Sequence, residues 1–129
     1  MMDKIFYYFL PLAGDYIKIL AGGALLTAII EALFFFAVSF KGKNFLLFVF
    51  FVNICSNVIL NLYVGNSHYG AKTILTGELC VVAVEFLLYT MYLKEFALVK
   101  SFRLLLMTIF ANLVSFSFGL IFLNTIIVL

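Results

Sequence analysis

Two glutamates stand where a chain can least accommodate a charge. Glu31 lies inside "GALLTAIIEALFF", Gly23 to Phe35, and Glu85 inside "GELCVVAVEFLLY", Gly77 to Tyr89. An ionised carboxylate at mid-bilayer costs about 2.5–3.5 kcal/mol on insertion scales, so such a group faces a bundle interior or water and is protonated or paired. Neither stretch contains Lys or Arg. Three ways of neutralising the pair remain: a proton on each Glu, a proton shared between them, or a bound cation. Two carboxyls that meet cannot both ionise cheaply, and they titrate as a unit. Asn53 in "FVNICS" and Asn112 in "FANLVS" supply side-chain amides. An amide can donate to a carboxylate or lend an oxygen to a hard cation. Carboxylate with amide oxygen suits H⁺, Na⁺, Mg²⁺, Ca²⁺, Mn²⁺ or an organic cation better than a soft metal.

The elements that must position these residues are membrane helices. The chain has 129 residues, 67% of them hydrophobic, and a mean hydropathy of +1.26. A soluble domain of that size could not hide so much apolar surface. Four apolar runs, about 16–40, 44–64, 74–93 and 104–128, each exceed the roughly 18 residues that mark a span. Strands are a poor alternative, because no period-two alternation is sustained. The expectation is one all-α transmembrane domain over 1–129, a four-helix bundle. The N-terminal "MMDKIFYYFLPLAGDYIK" does not read as a signal peptide, since its apolar stretch is short and contains Pro11. Its aromatics suit the headgroup level.

The two Glu stretches belong to a longer correspondence. Gly23, Leu25 and Glu31 match Gly77, Leu79 and Glu85, and Phe51, Asn53 and Ser56 match Phe110, Asn112 and Ser115. The chain therefore reads as two similar helical hairpins, 16–64 and 74–128, in a parallel repeat about an axis along the membrane normal. At ~1.5 Å per residue, Glu31, Asn53 and Asn112 lie about 13 Å from one membrane side and Glu85 about 12 Å. Asn57, Asn61, Glu78 and Asn124 form a second tier toward the other side. Ser115 and Gly119 share a helix face with Asn112, and Asn53, Asn57 and Asn61 recur every four residues. The candidate ion- or substrate-binding residues are Glu31, Glu85, Asn53, Asn112, Asn57, Glu78, Asn61 and Ser115. The bland alternative is that these groups hydrogen-bond between helices and fix their register. "AGGA", Ala21 to Ala24, reads as close helix packing.

Lys41, Lys43, Lys94, Lys100 and Arg103 flank one side, against Lys4, Lys18 and Lys72 on the other. The excess places 41–43 and 94–103 in the cytoplasm and both termini outside. A net charge of +2, with no basic stripe, gives no case for nucleic acid. Cys55 and Cys80 read as small buried apolar residues, and His68 as an ordinary loop residue. Enzyme chemistry is disfavoured. No span holds a His for a metalloprotease or as a base for a Ser or Cys nucleophile, and no Arg or Lys sits at depth for a phosphate.

In size, span count and the helix-one glutamate of "AIIEALFF", the chain resembles small multidrug transporters. It departs from them in having no Trp, in carrying Glu85 in the third span, and in its Asn-rich second span. The Gly/Arg motifs of fluoride channels are not found. Glu31-Ala32, Asn53 to Asn61 in N-x-x-S-N-x-x-x-N, "ELCVVAVE" from Glu78 to Glu85, and Asn112 to Gly119 in N-x-x-S-F-x-x-G also look like uncharacterised small four-span bacterial membrane proteins. That resemblance implies a bacterial cytoplasmic membrane and imports no function. The functional expectation is a bilayer protein that binds or passes a cation, H⁺-linked in the simplest case, with no cofactor beyond a cation at the Glu/Asn layer. Four helices are few for a complete pathway, so a homodimer or a partner membrane protein is expected. The alternatives are a non-catalytic subunit or assembly factor, and an intramembrane enzyme acting on a lipid-like substrate.

Overall fold

The computed structural model describes the backbone of residues 2–38, 42–66, 71–94 and 98–128, and the side chains of 17–38, 42–64, 72–94, 100–119 and 121. His68 and the side chain of Asn124 lie outside the described residues. The described chain forms four helices: α1 Met2–Ala37, α2 Lys43–Asn66, α3 Ala71–Leu93 and α4 Leu98–Val128. With no water in the hydrocarbon to satisfy backbone polar groups, a helix is the form in which each span satisfies its own. The stretches long and apolar enough to cross a bilayer are Ile17–Ala37, Lys43–Val64, Lys72–Leu93 and Lys100–Gly119. α1 runs on through the aromatic N-terminal segment without a break at Pro11. α3 ends at Lys94, whose φ of 53° places it in the left-handed region that commonly closes a helix.

The helices pack as a square. α1 touches α2 and α4, and α3 touches α2 and α4; among the described residues the diagonal pairs make no close backbone contact. Short connections make chain neighbours antiparallel, so α1 and α3 run one way and α2 and α4 the other.

The bundle is apolar outside and carries a polar layer within. Ile59, Leu75, Leu79 and Met91 face outward, while Glu31, Asn53, Glu85, Thr108, Asn112 and Ser115 are buried. Lipid tails are as apolar as Leu, so helix association in a membrane rests on van der Waals packing and hydrogen bonds rather than on burying grease. Cys55 and Cys80 follow the outward pattern: both are exposed on the bundle surface rather than buried. The glycines of "AGGA" also differ from expectation. A Cβ built on Gly22 or Gly23 would meet nothing within 4 Å, and it is Ala24 that is buried. The close approach is at Gly77, where the Leu60 side chain of α2 occupies the space a Cβ would need.

At the end of the bundle where α1 meets α2 and α3 meets α4, aromatic rings fill the core. Phe35 and Tyr89 meet edge-to-face across the diagonal at 5.4 Å. Phe45 packs on both, at 5.6 and 5.8 Å, and Phe48 stacks on Tyr92 at 4.5 Å. Such pairs are worth about 0.5–1.5 kcal/mol each. Toward the other end the inward positions are small: Ala24, Ala28, Gly77 and Val81.

Candidate functional site

Glu31 sits one turn from Phe35 on α1, and Glu85 one turn from Tyr89 on α3. Both carboxyl-bearing side chains are buried, at 1% and 0% exposure. α1 and α3 are diagonal, so the link between the two carboxyls is made by α2 and α4. Asn112 Nδ2 donates to Glu85 Oε2 at 2.7 Å. Ser115 Oγ, one turn along α4, donates to Glu31 Oε1 at 2.8 Å. From α2, Ser56 Oγ donates to Glu85 Oε1 at 2.6 Å, and the Asn53 side chain lies against the Glu31 carboxyl. The result is a ring of two acids, two amides and two hydroxyls that touches all four helices.

Matched positions of the two halves take matched places in this ring. Ser56 of the first hairpin serves Glu85 of the second, and Ser115 of the second serves Glu31 of the first. Phe35 and Tyr89 hold the same register and touch. Asn53 breaks the pattern. Both amides bond their own helix four residues back, Asn112 Nδ2 to Thr108 O at 3.1 Å and Asn53 Nδ2 to Val49 O at 3.2 Å, but the second bond of Asn112 goes to the Glu85 carboxyl and that of Asn53 to Tyr89 Oη at 3.0 Å. Glu31 Oε2 and Asn53 Oδ1 are both buried without a hydrogen-bond partner.

The described donors to both carboxyls are neutral. Lys18, Lys43, Lys72, Lys94, Lys100 and Arg103 are all exposed, each in the first turn of a span or just past its end. Among the described residues no group of three or more His, Cys, Asp or Glu is placed to hold a metal ion, so the ligand chemistry of the layer is two carboxyls with amide and hydroxyl groups.

Each serine hydroxyl has one hydrogen and two acceptors within reach. Ser56 Oγ lies 3.2 Å from Asn53 O as well as beside Glu85, and Ser115 Oγ lies 3.0 Å from Asn112 O as well as beside Glu31. When the acid is ionised, the hydroxyl donates to it. When the acid carries a proton on that oxygen, the hydroxyl turns to its own helix carbonyl and accepts. A change of protonation at either oxygen therefore needs a rotation about one bond and no movement of a helix.

The remaining residues singled out in the sequence sit apart from the ring. Glu78 is half-buried on α3, two turns from Glu85, within electrostatic range of both inner carboxyls. Asn57 is half-buried and gives its amide to Asn53 O at 3.1 Å. Asn61 is exposed and donates to Asn57 O at 2.8 Å. Neither Asn57 nor Asn61 donates to a carboxyl in the described structure. Ser56 and Tyr89, by contrast, are not among the sequence candidates; Ser56 belongs to the ring, and Tyr89 borders it through Asn53. Their signals were present: Ser56 is the repeat counterpart of Ser115, and Tyr89 stands four residues after Glu85.

A groove of about 380 Å³ opens between α2 and α3, lined by Ser56, Ile59, Leu60, Tyr63, Gly77 and Val84 among others. Neither a family model, nor a curated protein, nor a solved structure matches the chain.

Proposed function

We propose that the protein passes cations across a membrane, protons in the simplest case, through the layer formed by Glu31 and Glu85, and that it works as a homodimer or with a partner membrane protein. The observation that carries this reading is the full burial of two carboxyls whose described donors are all neutral. Hydrogen bonding alone would be met by Gln without the penalty of an ionisable group in hydrocarbon. The two serine hydroxyls let each acid change protonation state in place. The aromatic cluster of Phe35, Phe45 and Tyr89 closes the layer on the side read as cytoplasmic. Small residues and the half-buried Glu78 and Asn57 leave the opposite side the easier approach for a proton.

The ring also favours a second reading. Its hydrogen bonds run from α2 and α4 to α1 and α3, as they would in a non-catalytic subunit whose polar layer specifies helix pairing. The two readings part on flux. Purified protein in liposomes conducts protons under the first, and the Glu31→Gln/Glu85→Gln double variant does not. Under the second, neither form conducts and the double variant assembles normally.

A further inference from the structure

We propose that the two carboxyls divide the work: Glu31 keeps a resident proton on Oε2, donated to Asn53 Oδ1, and Glu85 is the acid that takes up and releases the exchanged proton. This rests on the proton reading above and adds which residue does what.

Two buried acceptors have no donor, Glu31 Oε2 and Asn53 Oδ1. A buried acceptor left unpaired costs the full desolvation of that group. Turning the Asn53 amide over would exchange the vacancies for two acceptors in contact, because it sets Oδ1 about 3.2 Å from Val49 O with no hydrogen between them. One hydrogen removes both vacancies at once, if it sits on Glu31 Oε2 and points to Asn53 Oδ1. A proton on Oε1 would not, since Ser115 already serves that oxygen.

Glu85 is built differently. Both of its oxygens receive short donors, from Ser56 and Asn112, so it is satisfied as an anion. It is satisfied as an acid too. A proton arriving on Oε1 is donated to Ser56 Oγ, and the serine hydrogen swings to Asn53 O. Uptake forms the Glu85 O–H bond and release breaks it, with no other covalent change. The titratable groups around Glu85 are Glu31 across the bundle and Glu78 and Tyr89 on its own helix. α2 and α4 present Ser56, Asn53, Asn112 and Ser115 to the layer, none of which titrates. A neutral Glu31 leaves at most one negative charge in the layer, which two facing carboxyls require.

Gln at position 31 reproduces the proposed state, because its amide N–H can reach Asn53 Oδ1 while its oxygen still accepts from Ser115. Gln at 85 cannot exchange a proton. In liposomes with an imposed pH gradient and a pH-sensitive dye inside, Glu31→Gln retains proton flux and Glu85→Gln loses it. Flux lost in Glu31→Gln, whether Glu85→Gln keeps it or loses it too, overturns the division. Flux surviving in the double variant sinks the proton reading itself. Infrared spectroscopy in a Glu78→Gln background needs no flux. In Glu85→Gln the protonated-carboxyl stretch of Glu31 holds constant through a pH titration. In Glu31→Gln the stretch of Glu85 vanishes on going alkaline and returns on going acid. The reverse pattern, or a Glu31 stretch replaced by a carboxylate on adding Na⁺, overturns the proposal.

Discussion

Ser56 and Ser115 each hold the carboxyl of the opposite hairpin. Ser56 on α2 binds Glu85 at 2.6 Å, and Ser115 on α4 binds Glu31 at 2.8 Å. Neither acid is served by a hydroxyl from its own half of the chain, so the polar layer exists only when both hairpins are docked.

Removing either hydroxyl therefore loosens hairpin docking and the acid together. Ser56→Ala and Ser115→Ala are each expected to lower stability by about 0.6–2 kcal/mol, the range found for hydrogen bonds between membrane helices. Thr restores the hydroxyl and with it the stability. Thermal unfolding in a mild detergent reads both, and an Ala variant as stable as the parent contradicts the bonding scheme.

Tyr89 carries two functions that one atom separates. Its ring packs on Phe35 and Phe45, and its Oη accepts from Asn53 Nδ2. Tyr89→Phe keeps the rings and leaves Asn53 with Val49 O alone. The expected outcome is a loss of about 0.6–1.7 kcal/mol of stability, and a slower proton flux, since Asn53 is freed to turn away from Glu31. Tyr89→Leu loses the ring contacts as well and is expected to cost more.

Gly77 and Gly23 match in the sequence but not in the structure. Leu60 fills the Cβ position of Gly77, and open space surrounds that of Gly23. Gly77→Ala is expected to cost about 1–3 kcal/mol through overpacking, with Leu60→Ala in the same chain recovering part of it. Gly23→Ala is expected to be neutral or slightly stabilising, because Ala is the better helix former by about 1 kcal/mol. Denaturation of the three variants side by side tests the α2–α3 contact.

The excess of basic residues around the first and third connections leads to the expectation that both lie in the cytoplasm. A membrane-impermeant maleimide added to intact cells is expected to label His68→Cys and to spare Gly42→Cys, both built in a Cys55→Ser/Cys80→Ser background. The opposite labelling inverts the orientation and puts the aromatic cluster on the outer side.

The helices were legible because hydrocarbon leaves so few options: four apolar runs, each long enough to span, have to be helices or a barrel. The convergence of Glu31, Glu85, Asn53 and Asn112 on one level could be read by counting rise from the helix ends. Rotation about the helix axis was harder to read. The stripe Asn53, Asn57, Asn61 looks like one face, but each step of four residues turns by about 40° relative to the axis, so Asn61 has turned out of the interior while Asn53 is buried. Cys55 and Cys80 read as buried because free Cys is among the most buried residue types in soluble proteins. In a membrane bundle the outer face is apolar as well, and a small apolar side chain says nothing about which way it points. Tyr89 shares a helix face with Glu85, but nothing in the sequence says which way its hydroxyl turns; the bond from Asn53 Nδ2 shows it turned inward.

The central claim is that protons cross the bilayer by way of the buried acid pair. The most direct test is the rate of internal acidification in sealed liposomes holding the purified protein, with K⁺ and valinomycin to clamp the potential. Wild-type protein is expected to collapse an imposed pH gradient faster than protein-free liposomes, and the Glu31→Gln/Glu85→Gln protein, reconstituted to the same density, to leave it standing. Equal rates for the wild type and the double variant would contradict the account.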